Sequence, residues 1–356
     1  MKFNFNFLLS NKIFNIFIGI FSFVFLGFVL LIFISNTNTG IDFLDKYSGK
    51  SKPLSNTSEP LNPVEDSPSP ISEEEKNTEV SISFIGDMMF DRQIRRIAEE
   101  TDYEHLFDFV SERFNEHDLV VGNLEGPISD HQTIYKEKLN LEQYTFTFDP
   151  KVTKKLYDAN IRLVFLDNNH ISNFGNSGIE QTLDNLIKNN ISYFGNPYDR
   201  KILSYKIKDI KFSFMSYNQF IRPDANETIK NIKEAQNNSD YIVVYTHWGE
   251  EYFKKPNEQQ INLAHSFVDA GADLVIGTHP HVIQSKEIYK DKYIYYSLGN
   301  FIFDQYFSED VKCGAVANFI FDEKGSISVS EEFVELHIDD VVKFSDCLDL
   351  VPLDSF

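Results

Sequence analysis

From Val80 onward the chain repeats one unit: a short apolar run, a polar cluster, and then an amphipathic stretch at helical spacing. The runs include Val80–Ile85, Leu119–Val121, Ile161–Leu166, Ile191–Phe194, Tyr241–Tyr245, Leu274–Ile276 and Lys292–Tyr296, with β-type runs at Tyr144–Phe148, Ala315–Phe321 and Ser326–Leu336. Ile202–Ile207 and Lys211–Ser216 read as a hairpin around Lys208 to Ile210. Helical patterns follow Arg92, resume from Leu106 to Phe114, and recur at Pro150–Ala159, Gly178–Asn189, Glu227–Asn237 and Glu258–Ala270. Such alternation restricts the fold to α/β, with a largely parallel or mixed sheet covered by helices.

The polar clusters fall at the ends of the apolar runs. Five strands end in Asp87, in Asn123 and Glu125, in Asn169 and His170, in His247, and in His279 and His281. In open α/β sheets ligands sit beyond the carboxyl ends of the strands, so parallel neighbours would bring these groups together. Carboxylates, an amide and imidazoles are the mixture that binds one or two divalent transition ions. Each residue alone has a plainer role. Asp87 can cap a helix, Glu125 can sit in a solvated turn, Asn169 and His170 can close a turn, and His247 can be a packed core histidine. The weight lies on five clusters at equivalent positions. The remaining histidines, at 105, 117, 131, 265 and 337, read as surface or packing residues.

The flanks differ in kind from this domain. Residues 13–34 are almost wholly apolar and, as a helix, rise about 33 Å, enough to cross a hydrocarbon core. Lys2 and Lys12 precede them, the next basic residue is Lys46, and no small-residue cleavage site follows. Residues 1–35 therefore read as a cytoplasmic stub and an uncleaved transmembrane signal anchor, with everything beyond outside the cell membrane. Residues 36–79, rich in Pro, Ser and Glu, read as a disordered tether. Residues 80–336 form the expected domain, and 337–356 an acidic tail with no assigned structure. The formal net charge of −21 argues against nucleic acid as a partner, since phosphate binding needs basic patches. Cys313 and Cys347 are the two cysteines; in an oxidising compartment they can pair, if their backbones come close enough.

As an ordered set, the clusters resemble the CapA family of bacterial capsule-synthesis proteins, associated with poly-γ-glutamate. The resemblance covers roughly residues 81–305. It rests on Gly86-Asp87-Met88-Met89 with Arg92, Gly122-Asn123-Leu124-Glu125-Gly126-Pro127, and Asn168-Asn169-His170. It continues through His247-Trp248-Gly249-Glu250-Glu251-Tyr252, the stretch Asp273 to Val282 with His279-Pro280-His281, and Tyr296 to Phe301 with Phe303-Asp304-Gln305. The resemblance implies a fold similar to calcineurin-like metallophosphatases, a four-layer sandwich of two mixed sheets flanked by helices. By that analogy Asp87, Glu125, Asn169, His247, His279 and His281 are ligands for one or two divalent ions (Mn, Fe or Zn). His170 is then the acid beside the leaving group, and Arg92 contacts an anionic substrate. Three positions depart from the patterns. Met89 stands where metallophosphatases usually have a histidine, and Asn173 and Thr278 stand where the capsule family usually has Asp and often has His.

The expectation is a membrane-anchored, extracytoplasmic protein of capsule (poly-γ-glutamate) biosynthesis, export or attachment, acting through metal-assisted hydrolysis or transfer. Its partners would be an anionic polymer such as poly-γ-glutamate and other membrane proteins of capsule synthesis. The alternatives are a secreted metallophosphoesterase and a non-catalytic subunit that holds a polymer or partner in the same pocket.

Overall fold

The computed structural model describes residues 78–135, 144–198, 200–337 and 341–347. The expected membrane span at 13–34 lies outside them, as does the expected tether except for its last two residues. Among the described residues no helix is long and apolar enough to cross a membrane.

The strands, in chain order, are β1 (Val80–Met88), β2 (Leu119–Leu124), β3 (Ile161–Phe165), β4 (Ser192–Phe194), β5 (Leu203–Ile207), β6 (Ile210–Asn218), β7 (Tyr241–His247), β8 (Leu274–Thr278), β9 (Lys286–Tyr289), β10 (Lys292–Tyr295), β11 (Asn300–Ile302), β12 (Cys313–Phe321), β13 (Ile327–Leu336) and β14 (Val342–Phe344). They make two mixed sheets. One runs β14-β13-β12-β1-β2-β3-β4, with β11 added beside β1; the other runs β5-β6-β7-β8-β10-β9. The five strands that end in polar clusters are thus not neighbours in a single sheet. Strands β1, β2 and β3 are parallel neighbours in the first sheet. Strands β7 and β8 are parallel neighbours in the second.

The two sheets face each other across an apolar core. Phe84, Val121, Phe165, Phe194 and Phe319 come from the first sheet, and Phe212, Phe214, Val243, Tyr245 and Ile276 from the second. Each such buried side chain contributes about 1.5–3 kcal/mol by leaving water. The Tyr245 ring packs on Phe165 at 4.9 Å, and its hydroxyl donates to the Ile85 carbonyl at 2.5 Å, pinning one sheet to the other beside the strand ends. On the outer face of the second sheet, Ile232 and Ala235 of helix Asn226–Ala235 and Ala264, Phe267 and Val268 of helix Glu258–Ala270 meet Val244, Val275 and Ile294. Helices Lys151–Asp158 and Gly175–Lys188 lie against β3 and β4 of the first sheet. Helix Glu258–Ala270 opens on a capping box of Asn257 and Gln260 and stops at Gly271, whose φ of 116° turns the chain into β8. The end of β8 is thereby fixed where His279 and His281 follow.

Three expectations need correction. Tyr144–Phe148 is not a strand; it makes only a lone bridge between Phe148 and Ile128. Two of its aromatic side chains turn inward instead, Phe146 against Phe303 and Phe148 against Phe90, while Tyr144 stays exposed. The second is that ordered structure does not stop at Leu336, because β14 pairs with β13. Cys347 is bonded to Cys313, with Cα atoms 6.4 Å apart. A disulfide spanning 34 residues is worth about 2–4 kcal/mol. Finally, the helical pattern from Leu106 to Phe114 resolves into a 3-10 turn at Tyr103–Phe107 and one α-turn at Ser111–Phe114.

Candidate metal centre

Register places the polar residues in two facing rows. In the first sheet Asp87 stands opposite Asn300 on one side and Asn123 on the other. The second sheet sets His247 between Asn218 and Thr278. Gly86 makes the first row possible, since a Cβ there would lie 1.9 Å from the Gly299 carbonyl oxygen. That close approach lets the Asp87 amide donate to Gly299 at 3.0 Å.

The rows touch through short polar contacts. The Asn123 amide nitrogen donates to Asp87 at 2.7 Å and to Glu125 at 3.2 Å. The Asn168 amide nitrogen donates to Asn123 Oδ1 at 3.0 Å and the Leu124 carbonyl at 2.8 Å, while its oxygen accepts the backbone N–H groups of His170 and Ile171. From the opposite sheet the His279 amide donates to Asp87 at 3.2 Å. Asp87, Glu125 and His247 are fully buried; His279 is 5% and His281 3% exposed. The proline-separated histidines therefore both bury, within a polar pocket rather than an apolar core. Their backbones are held in the left-handed region, at φ 96° and 58°, which side-chain-bearing residues adopt at a cost.

Lone pairs converge inside this pocket. His247 Nδ1 lies 3.2 Å from the Thr278 hydroxyl, which itself donates to the Thr246 carbonyl at 2.8 Å. Thr278 therefore accepts the His247 Nδ1 proton, and the Nε2 lone pair faces Asn169 Oδ1 at 2.9 Å and Glu125 Oε1 at 3.9 Å. Glu125 Oε1 and His279 Nδ1 are buried with no hydrogen-bond partner among the described residues. Ligand atoms of Glu125, His247 and His279 lie within 4.8 Å of one another, as do those of Asp87, Glu125 and His281. Buried acceptors that face one another without a donor suit a divalent cation, so the donor set fits a metal.

Electrostatics follow from this crowding. Burial first, then the Asp87 carboxylate, pushes the Glu125 carboxyl well above the usual range. Burial first, then neighbouring imidazoles, holds His247 well below its ordinary value and His279 at about 3. Burial lowers His170 to about 4, against the opposing hydrogen bond from Asn173.

All six expected ligands thus come together. His170 joins them at the wall, its Nε2 4.0 Å from Glu125 Oε1. Arg92 is ion-paired with Asp304, and its guanidinium stacks over Phe146 and Phe303. Phe146 in turn packs on the His170 ring at 4.4 Å. Met89 is buried with its sulfur accepting from the Asp91 amide at 3.0 Å. Of the other histidines, three have partners away from the centre: His105 pairs with Asp108, His131 stacks on Phe174 and His265 bonds Glu287. Asn123 and Asn168, the amides that orient the carboxylates, and Asn300, 2.9 Å from His281 Nδ1, carry roles the sequence reading did not assign. Their only signal was position, inside or beside the polar clusters.

Residues 81–305 match the family model described as bacterial capsule synthesis protein PGA_cap. The chain is 35% identical over 245 residues to the PGA biosynthesis protein CapA of Bacillus subtilis (strain 168), covering 64% of each chain. It is 31% identical over 254 residues to the capsule biosynthesis protein CapA of Bacillus anthracis, covering 65% of this chain and 61% of that one. The chain thus spans less than two thirds of the length of these relatives. Among solved structures, TT1561 of Thermus thermophilus aligns with 71% of this chain and 99% of its own, at 10% identity and a TM-score of 0.38, an overlap too low to carry weight.

Proposed function

From the premise that the chain belongs to the bacterial capsule synthesis family, we propose that it serves capsule biosynthesis through a divalent-metal centre at the facing strand ends. One observation carries this reading: the stretch that matches the family, 81–305, holds every residue of the buried cluster of acceptors. The polymer is an anionic one of the poly-γ-glutamate kind, a reading supported by the similarity to the PGA biosynthesis protein of Bacillus subtilis. The apolar segment 13–34 anchors the protein in the cell membrane, with the domain outside.

Asp87, Glu125, Asn169, His247, His279 and His281 are the residues that would hold the metal, as in the calcineurin-like metallophosphatases that the fold expectation named. When bound, a divalent cation polarises a carbonyl or phosphoryl oxygen and stabilises developing negative charge. The protein's own groups prepare the site. Asn123 holds the Asp87 and Glu125 carboxylates and is itself held by Asn168, Thr278 fixes the His247 tautomer, and the aromatic wall of Phe146 and Phe303 limits water. Asn173 Oδ1, which accepts the Phe146 amide at 2.7 Å, also accepts the His170 Nδ1 proton at 3.2 Å. His170 Nε2 therefore presents a lone pair to the site, and the ring is neutral near neutral pH. It acts as an acid only when a bound anion raises its pKa. This neutrality favours a second reading, in which the centre holds the polymer or a partner without cleaving it.

Complementation tests the proposal. In a poly-γ-glutamate producer lacking its own CapA relative, this chain should restore capsular polymer and the His279→Ala variant should not. Restoration by both would remove the metal centre from the function; restoration by neither would remove the capsule role. Loss of polymer in His170→Gln with metal retained would favour catalysis over holding.

A further inference from the structure

Met89 stands where the fold analogy calls for a histidine; a thioether has no nitrogen to offer, and this one accepts from the Asp91 amide. A different side chain reaches the centre from the open end. Glu251, exposed in the loop after β7, brings a carboxylate oxygen within 4.8 Å of ligand atoms of both His279 and His281. An exposed glutamate alone would be an ordinary surface acid. Two further observations single it out. His279, nine-tenths buried, has its Nδ1 without a partner among the described residues. A one-way chain of hydrogen bonds also runs from His281 to the hydroxyl of Tyr252, the residue next to Glu251.

The direction of that chain is fixed by Asn300. Its amide nitrogen donates to the Val311 carbonyl at 2.8 Å and to Gln305 Oε1 at 3.0 Å. Its oxygen must then accept, so the proton between Asn300 Oδ1 and His281 Nδ1, 2.9 Å apart, belongs to the imidazole. His281 Nε2 is left as the lone-pair nitrogen, 3.8 Å from Glu125 Oε1. With Gln305 Oε1 engaged by Asn300, its amide nitrogen donates to the Tyr252 hydroxyl oxygen at 3.3 Å. Burial first, and then the negative charge of the adjacent Glu251 carboxylate, raises the Tyr252 hydroxyl's pKa, so the phenol stays protonated beside that carboxylate. The backbone supports the same closure: Tyr252, held at φ 68°, donates its amide to the Pro280 carbonyl at 2.7 Å, between the two histidines.

We propose that Glu251, with His279 and His281, ligates a divalent cation at the solvent-facing end of the centre, and that Asn300, Gln305 and Tyr252 are positioning residues that fix the His281 tautomer and aim the Glu251 carboxylate. The proposal rests on the metal-centre reading above and adds one ligand to it.

Titration of Mn²⁺ into the metal-depleted full-length chain, read from the electron paramagnetic resonance of unbound Mn²⁺, tests it without any assay of activity. Glu251→Gln should weaken binding about tenfold or more, and Tyr252→Phe, which removes the hydroxyl at the end of the chain but keeps the ring, by a smaller factor. Glu251→Asp should recover part of the loss, and Glu250→Gln, one residue away, should bind as wild type. Both tested side chains are substantially exposed, so the variants should fold. Wild-type affinity in Glu251→Gln would overturn the assignment of Glu251 while leaving the inner centre standing. Weakened binding in Glu251→Gln with no change in Tyr252→Phe would overturn the positioning chain. A wild-type chain that binds no Mn²⁺ would overturn the metal-centre reading itself.

Discussion

Two buried carboxylates near the end of β3 and its neighbour β2 meet opposite surroundings. Asp167, fully buried, accepts from Arg200 Nε at 2.9 Å and from the Ser216 hydroxyl at 2.9 Å. Arg200 extends the tie to the carbonyls of Asn218 and Arg222, joining the β3 end to the loop beyond β6 in the other sheet. Glu125 is equally buried, yet it faces Asp87 and the imidazoles of His247 and His170, which burial holds neutral. In both, burial raises the carboxyl pKa. Arg200 opposes the rise at Asp167, whereas Asp87 adds to it at Glu125. The lesson is that the first cluster carries its counter-charge within the chain and is a structural tie. The second gathers acceptors and leaves the positive charge to come from outside.

Substitutions should separate the two. Asp167→Ala strands the buried Arg200 guanidinium and should cost about 3–5 kcal/mol in denaturant unfolding, with or without Mn²⁺. If added Mn²⁺ relieved that loss, the two clusters would not be distinct in kind. Wild-type protein should gain about 2.7 kcal/mol from Mn²⁺ at a hundredfold excess over its Kd, and His279→Ala should gain almost none. Thr278→Val removes the acceptor of the His247 Nδ1 proton and should weaken Mn²⁺ binding about tenfold in calorimetry, with little change in metal-free stability. Unchanged affinity would show that the tautomer is set elsewhere.

The smallest effect concerns pH. The folded pKa of His170, about 4, lies below the ordinary 6.5, so the unfolded chain takes up the proton first. Its contribution is complete above about pH 6.5 and is lost as pH falls toward 4. Metal-free protein should therefore lose more stability than His170→Gln on acidification, by about 1 kcal/mol between pH 6.5 and 5.5. Parallel profiles would mean that His170 is not held neutral.

The contrast also shows what the sequence made legible. Asp87, Glu125, His247, His279 and His281 were readable because charged or imidazole groups directly after apolar runs are out of place in a core. The division into two sheets was expected only through the family resemblance; the alternation of runs alone fits one sheet as well as two. Strands β9 and β14 were missed because they are short, although each pairs with its near neighbour in sequence; β11 was missed because it also owes its form to a partner distant in sequence, Asp87 for Asn300. The Cys313–Cys347 bond was open for the same reason: spacing does not fix a Cα separation. Glu251 read as part of a motif but not as a ligand, since nothing local brings an acid after Gly249-Glu250 toward His281. Arg200, the counter-charge of Asp167, lies 33 residues away and left no pattern at all.

The central claim is that the Glu125 cluster requires a cation from outside the chain. Its most direct test is the melting temperature of wild type and Glu125→Gln, each with and without Mn²⁺. Replacing a buried, crowded carboxylate by its neutral isostere should raise the metal-free melting temperature and abolish the upward shift on adding Mn²⁺. A Glu125→Gln variant that is less stable without metal and still shifts with Mn²⁺ as wild type does would contradict it.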